Sequence, residues 1–106
     1  WFRRDEDGRF LWPGFGENSR VLKWVFERCD ESVDAVDSPI GKLPAPGSLD
    51  LDGLDVATAD LDAILSVDEV GWKSAVPQIR DHFARFGDKL PKELMVQVDE
   101  LEAALA

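Results

Sequence analysis

Cysteine is nearly absent from this chain. Cys29 is the only one in 106 residues, so no disulfide can form within it, which is compatible with a reducing compartment. Histidine is as scarce: His82 has no second His or Cys nearby in sequence and reads as a helix-surface residue, not a metal ligand or a base. No apolar run approaches the ~20 residues of a membrane span, so no membrane role is expected. The phosphate loop GxxxxGK(S/T) is missing. So is any cluster of His, Lys and Asp at metal-ligand spacing, and the acidic run DLDGLD at 50–55 lacks the spaced ligands and closing Glu of a calcium loop. Positive charge is in deficit as well, with 12 Lys and Arg against 22 Asp and Glu, a net charge of −10. Such a surface repels nucleic acid, and the simplest use of its acidity is solubility. The imbalance is uneven. Residues 1–28 carry six basic and five acidic groups, whereas 29–106 carry six and seventeen.

The stretch WPGFGEN, Trp12 to Asn18, is the most informative one. Phe15 stands between Gly14 and Gly16, where backbone can approach a ligand with no side chain in the way. Phe2 and Phe10 lie upstream, and Asn18 offers both a donor and an acceptor. Three rings around a planar base, with one amide to read its edge, is a way to hold a nucleobase without touching its phosphates. Each residue also has a plainer use. Phe10 and Phe15 suit a core, and Asn18 suits a helix N-cap. Trp1, Trp12, Trp24 and Trp72 read as packing residues, with Trp12 the exception as a wall behind the pocket. Cys29 falls on an apolar helical stripe and reads as an inert buried thiol.

WFRRDEDGRFLWPGFGEN followed by SRVLKWVFERC closely resembles the C-terminal part of the GTP-dependent phosphoenolpyruvate carboxykinases. The likeness is dense over residues 1–28 and traceable to the end through SPIGKLPAPGSLDLDGLD, VGWKSAVPQIRDHFARFG and LPKELMVQVDELEAAL. The resemblance implies an α/β parent enzyme, a cytoplasmic, monomeric lyase of gluconeogenesis that converts oxaloacetate and GTP to phosphoenolpyruvate, carbon dioxide and GDP. It implies that Phe2 and Phe15 lie against the two faces of guanine, that Phe10 packs at its edge and that Asn18 helps read it. Gly16 and Glu17, in the same loop, are implied to touch nucleotide through backbone. It also implies that the phosphate loop, the Mn2+ ligands, the Mg2+ that accompanies the nucleotide and the oxaloacetate-binding arginines lie upstream. These residues would then include no catalytic and no metal-binding group. The chain, opening within a motif at Trp1 and Phe2, is expected to be the C-terminal segment of that enzyme. Residues 1–18 would form a guanine-binding arm and 19–106 a mainly helical buttress. The competing class is a free-standing, non-catalytic purine-binding or helical interaction module.

Periodicity predicts a mainly α segment of about four helices. Asp7-Gly8 is a hairpin-type turn signal, and such a hairpin would bring Phe2 and Phe10 together. A first helix is expected from Asn18 or Ser19, with Val21, Leu22, Val25, Phe26 and Cys29 as its core stripe. Residues 30–56 read as connection, with one short strand at 39–43. A short helix follows from Thr58. Ser66 and Glu69 suggest a capping box opening a longer helix with Trp72, Val76, Ile79, Phe83 and Phe86 on one face. Pro77 should kink or split it, and Gly87 should end it. A last helix from Pro91 carries Leu94, Val98, Leu101 and Leu105.

Overall fold

A computed structural model describes residues 2–106; Trp1, expected as a packing residue, lies outside the described residues. Four α-helices dominate: α1 (Asn18–Cys29), α2 (Thr58–Leu65), α3 (Glu69–Ala84) and α4 (Lys92–Ala104). A two-stranded sheet, β1 (Ala35–Ser38) and β2 (Gly41–Pro44), lies between α1 and α2 in sequence. The chain divides into two compact units. One runs up to Ser38 and includes Lys42–Ser66; the other comprises Pro39–Gly41 and Val67–Ala106.

The first unit begins with the arm. Arg4 pairs with Phe10 in an antiparallel bridge across the Asp7-Gly8 turn, and the Leu11 N–H donates to the Arg3 carbonyl at 3.0 Å. The Asp5 carboxylate organises the turn by accepting from the N–H groups of Asp7 and Arg9 at 3.0 and 2.9 Å. Arg9 then reaches across to α2 and donates to both oxygens of Asp60, at 2.8 and 2.9 Å. This planar fork on a carboxylate is the strong, directional form of ion pair. Leu11 and Trp12 are buried, so an arm with no periodic apolar face still has two apolar anchors.

α1 starts at Asn18, as expected, but corrects two expectations, that Asn18 or Ser19 caps it and that its apolar stripe is core. Neither Asn18 nor Ser19 caps it. A 3-10 turn, Phe15–Glu17, feeds directly into α1, so the chain is already helical at Asn18 and no capping position falls there. The second correction concerns the stripe. Val21, Leu22, Val25 and Phe26 are 42%, 59%, 45% and 72% exposed, and Cys29 is exposed as well. The helix docks instead through Trp24 and Arg20. The Trp24 indole N–H donates to the Ser48 hydroxyl at 3.0 Å, and Arg20 donates to the carbonyls of Asp50 and Asp52 at 2.9 and 2.8 Å. Lys23 holds the Asp50 carboxylate at 2.6 Å. Amphipathic spacing shows that a face is apolar, not what covers it.

The expected single strand at 39–43 is a hairpin turn with a strand on either side. Pro39 and Ile40 make the turn, as suits a proline whose fixed φ favours the second turn position. Gly41 follows at φ +118°, a conformation that favours glycine. β1 was invisible to alternation because its burial runs intermediate, exposed, exposed, intermediate.

The second unit pairs α3 and α4 over a small core of Val76, Val98 and Leu105, with Ile79, Phe83 and Leu101 packed against it. Trp72, Phe86 and Leu94, expected on the same faces, are at least one-third exposed. His82 is exposed, as expected. Arg80 bridges the helices, donating to Asp99 at 2.7 Å and Glu102 at 2.6 Å. α3 runs unbroken through Pro77; losing one backbone donor is tolerated where neighbouring turns are packed. Its cap is Asp68, whose carboxylate accepts from the Gly71 N–H at 2.9 Å, and the Ser66 hydroxyl turns back to the Ala63 carbonyl instead. The cap therefore sits two residues after Ser66, the expected one. α3 stops at Ala84, and Gly87, at φ +51°, opens a further 3-10 turn. Pro91 is the residue before α4.

Two outcomes follow from these contacts. Leu105→Ala should destabilise the chain by about 2–5 kcal/mol, the usual result of emptying a buried leucine site, read as a lowered urea midpoint. A change within experimental error would show that the helix end is not seated in the core. Asp60 has its carboxyl held below the ordinary carboxylate range, chiefly by the hydrogen bond from Arg9. A depressed folded-state pKa contributes stability above the unfolded value of about 3.9, and that contribution is lost as pH falls through the folded value. Wild type should therefore exceed Asp60→Asn in urea midpoint between pH 5 and 7, with the gap closing on the acid side of about pH 3.9. A gap that persists into strong acid would show that the ion pair is not its source.

Candidate functional site

Phe2, Phe10, Trp12, Pro13, Gly14, Phe15 and Asn18 line one cavity of about 400 Å³ in the first unit. That volume falls in the range of small-molecule sites, which are typically apolar with a few placed polar groups. The hairpin brings Phe2 and Phe10 to it, and the turn after Pro13 brings Phe15. Phe2 is 70% exposed, Phe10 48% and Phe15 93%. None of the three rings is spent on the core, contrary to the plainer use of phenylalanine. Arg4 places its guanidinium carbon 4.1 Å from the Phe10 ring centroid. One face of Phe10 is thus occupied by a cation–π contact, leaving its edge and other face.

Phe15 sits at φ +49°. A bulky side chain in the left-handed region is a backbone outlier that costs about 1–3 kcal/mol and persists where surroundings impose it. Gly14 before it is at φ +73° and ψ −159°, a combination open essentially to glycine. The loop therefore bears strain to hold an aromatic ring out in water. Burial would explain a ring better placed inside; it does not explain this one.

Asn18 is the one buried polar residue among those described, 8% exposed. Its side-chain oxygen accepts from the Trp12 indole N–H at 2.9 Å. The plainer alternative for Asn18, a helix cap, is thereby replaced: its amide oxygen serves Trp12. Trp12, 6% exposed, is the packed wall that its sequence context suggested. Trp12 and Asn18 also line a second, apolar cavity of about 260 Å³ with Leu22, Leu49, Leu61 and Ile64.

Four of the six candidate residues thus converge, and two do not. Gly16 and Glu17 line a separate open depression with Ser19, Arg20, Lys23, Asp50 and Asp52. The Glu17 N–H is already donated to the Gly14 carbonyl at 3.1 Å, and its carboxylate is paired with Arg20. Pro13 is a lining residue that sequence reasoning did not single out; its position inside WPGFG was the available signal. Among the described residues no group of three or more His, Cys, Asp or Glu could hold a metal ion. The Asp50 carboxylate is bound to Lys23, which lowers its pKa, and it also accepts the Asp52 N–H at 3.1 Å, which lowers it further. No described helix is long and apolar enough to cross a membrane.

Residues 1–104 match the family described as the phosphoenolpyruvate carboxykinase C-terminal P-loop domain, and the chain belongs to that family. Its curated relatives bear the name phosphoenolpyruvate carboxykinase (GTP). The one from Neocallimastix frontalis is 54% identical over 107 residues, covering 99% of this chain and 17% of the relative. Those from Treponema pallidum (strain Nichols) and Renibacterium salmoninarum are 47% and 48% identical, with the same shares covered. The chain therefore spans 17% of the length of these relatives. The phosphate-loop pattern in the family's description does not occur within these 106 residues.

Gly16 offers a clean separation of fold from ligand. A Cβ added there meets nothing within 4 Å, and its φ is not in the left-handed region. Gly16→Ala should leave the thermal midpoint unchanged or raised. Any loss of nucleotide affinity would then report a ligand approaching the loop backbone. A clear fall in the midpoint would mean that Gly16 is needed by the fold.

Proposed function

We propose that this chain is the C-terminal segment of a GTP-dependent phosphoenolpyruvate carboxykinase and supplies its guanine pocket. The observation that carries this reading is the convergence of Phe2, Phe10, Phe15 and Asn18 on one cavity, with the Phe15 ring 93% exposed on a left-handed backbone. Phe2 and Phe15 would cover the two faces of the base, Phe10 would pack at its edge, and Asn18 would read that edge. The whole enzyme would decarboxylate oxaloacetate, and the resulting enolate would take the γ-phosphoryl of GTP, giving phosphoenolpyruvate, carbon dioxide and GDP. In such transfers a protein mainly positions groups and stabilises charge, and this segment's share is to position the nucleotide by its base. The residues described here do not fit a metal ion. The Mn2+ and Mg2+ sites, the phosphate loop and the oxaloacetate site belong to the remainder of the enzyme in this reading. A cytoplasmic, monomeric enzyme of gluconeogenesis fits it. The apolar face left open on α1 also supports it, because contiguous exposed apolar surface marks a contact site, and the rest of the enzyme would cover it.

Stacking on one ring is worth ~1–3 kcal/mol per base, about one to two powers of ten in affinity. Phe15→Ala in the full-length enzyme should weaken GTP binding by about that factor in a titration, with oxaloacetate affinity unchanged. The ring is exposed, so the fold has little to lose. Equal weakening of both substrates, or none of GTP, would overturn the pocket.

A further inference from the structure

The Trp12–Asn18 hydrogen bond has a direction, and direction decides which base edge fits. An asparagine amide presents an acceptor on one side and two donors on the other, and in isolation nothing distinguishes the two orientations. An indole N–H only donates. Whichever atom of Asn18 lies 2.9 Å from Trp12 Nε1 must therefore be the oxygen. Turning the amide over would set an NH2 group against an N–H group, leaving two donors unpaired at a contact between residues that are 6% and 8% exposed. The main chain adds a second restraint, because the Asn18 N–H is held by the carbonyls of Phe15 and Gly16 at the start of α1. With its oxygen turned to Trp12, the group on the other side of the Asn18 amide, a residue that lines the Phe2–Phe10–Phe15 cavity, is its NH2.

We propose that Trp12 is a positioning residue for base selection: it locks the Asn18 amide so that the pocket presents donors, which accept a purine carrying a carbonyl at position 6 and reject one carrying an amine. The assignment rests on the guanine-pocket reading and supplies its missing element. Rings alone stack on any base, since every base has a π-face. Discrimination needs a polar group of fixed sense, because a site built to hydrogen-bond one edge leaves that group unpaired against the wrong one.

The test is equilibrium binding of GTP and of ATP to the full-length enzyme, with oxaloacetate KM measured alongside. Trp12→Phe removes the N–H but keeps an aromatic ring. It should lower the GTP-over-ATP ratio by about tenfold, the loss expected when one buried hydrogen-bond constraint is released. Oxaloacetate KM should stay unchanged. Because Trp12 acts through Asn18, the double variant with Asn18→Ala should show the same ratio as Asn18→Ala alone. A purely structural role would weaken both nucleotides equally and leave the ratio intact, and that result, or additive losses in the double variant, would overturn the assignment. Should Trp12→Phe not fold, Asn18→Asp decides with Trp12 in place. One carboxylate oxygen would take the indole N–H and the other would offer an acceptor to a 6-amine, so ATP should bind more tightly than to Asn18→Ala; no gain in ATP affinity overturns the proposal. The underlying reading fails differently. If the wild-type enzyme shows no preference for GTP and Phe15→Ala costs nothing, there is no guanine pocket here at all.

Discussion

One buried hydrogen bond, from the Trp12 indole to the Asn18 side-chain oxygen, joins the two pieces that make the site. Trp12 ends the arm that carries Phe2 and Phe10, and Asn18 is the first residue of α1. Between them run only Pro13, Gly14 and the 3-10 turn with Phe15. Pinning both ends of so short a segment leaves its backbone few conformations. Phe15, at φ +49° and 93% exposed, lies within that segment. A neutral hydrogen bond is worth only about 0.5–1.5 kcal/mol net, so its value here is geometric more than energetic.

The first unit is organised by such contacts throughout. Arg9 clamps the hairpin to α2 through Asp60, Arg20 holds the loop carbonyls of Asp50 and Asp52, and Trp24 reaches Ser48. These are directional bonds, which set distances and angles. The second unit is ordered differently. Val76, Val98 and Leu105 form an apolar cluster, and apolar burial is non-directional and scales with area. Placement and stability are thus supplied by different means: the unit that presents the cavity is fixed by polar geometry, and the helical pair has the apolar core.

That division explains what the sequence disclosed. The existence of four helices was legible, because each carries apolar residues at helical spacing, from only Leu61, Ile64 and Leu65 in α2 to the longer stripes of the other three. Their burial was not. Val21, Leu22, Val25 and Phe26 satisfy the same pattern as Val76 and Ile79, yet α1 docks by Arg20 and Trp24, and no periodicity reveals a hydrogen bond to a loop carbonyl thirty residues away. The starts of α1 at Asn18 and α2 at Thr58 were legible too, but the expected caps failed for a related reason. Asn18 and Ser66 are good capping residues by type, but Asn18 is taken by Trp12 and Ser66 by the Ala63 carbonyl, so tertiary and backward bonds outcompeted the local one. The cavity was legible in its rings, since Gly14 and Gly16 flank Phe15 in sequence. Which residues of the loop face it was not: Gly16 and Glu17 are neighbours of Phe15 along the chain but look into a different depression, because a 3-10 turn rotates successive residues by about a third of a turn.

Two physical accounts of the arm make opposite demands on its exposed phenylalanines. Leaving an aromatic side chain in water forfeits about 1.5–3 kcal/mol of possible burial, and a left-handed Phe adds about 1–3 kcal/mol more. A loop selected for stability alone would turn Phe15 inward or replace it, and the nearby apolar cavity beside Leu22 and Leu61 shows that apolar surroundings were within reach. A loop selected to receive a flat ligand has the opposite requirement. Its rings must be open and pre-set before the ligand arrives, since side chains ordered only on binding subtract about 0.5–1.5 kcal/mol each from affinity. Phe15 on its strained turn, Phe10 backed by Arg4 and the Asn18 amide locked by Trp12 are all arrangements made in advance. Under the proposed guanine pocket, order already present in the unliganded chain is order that binding would not have to supply.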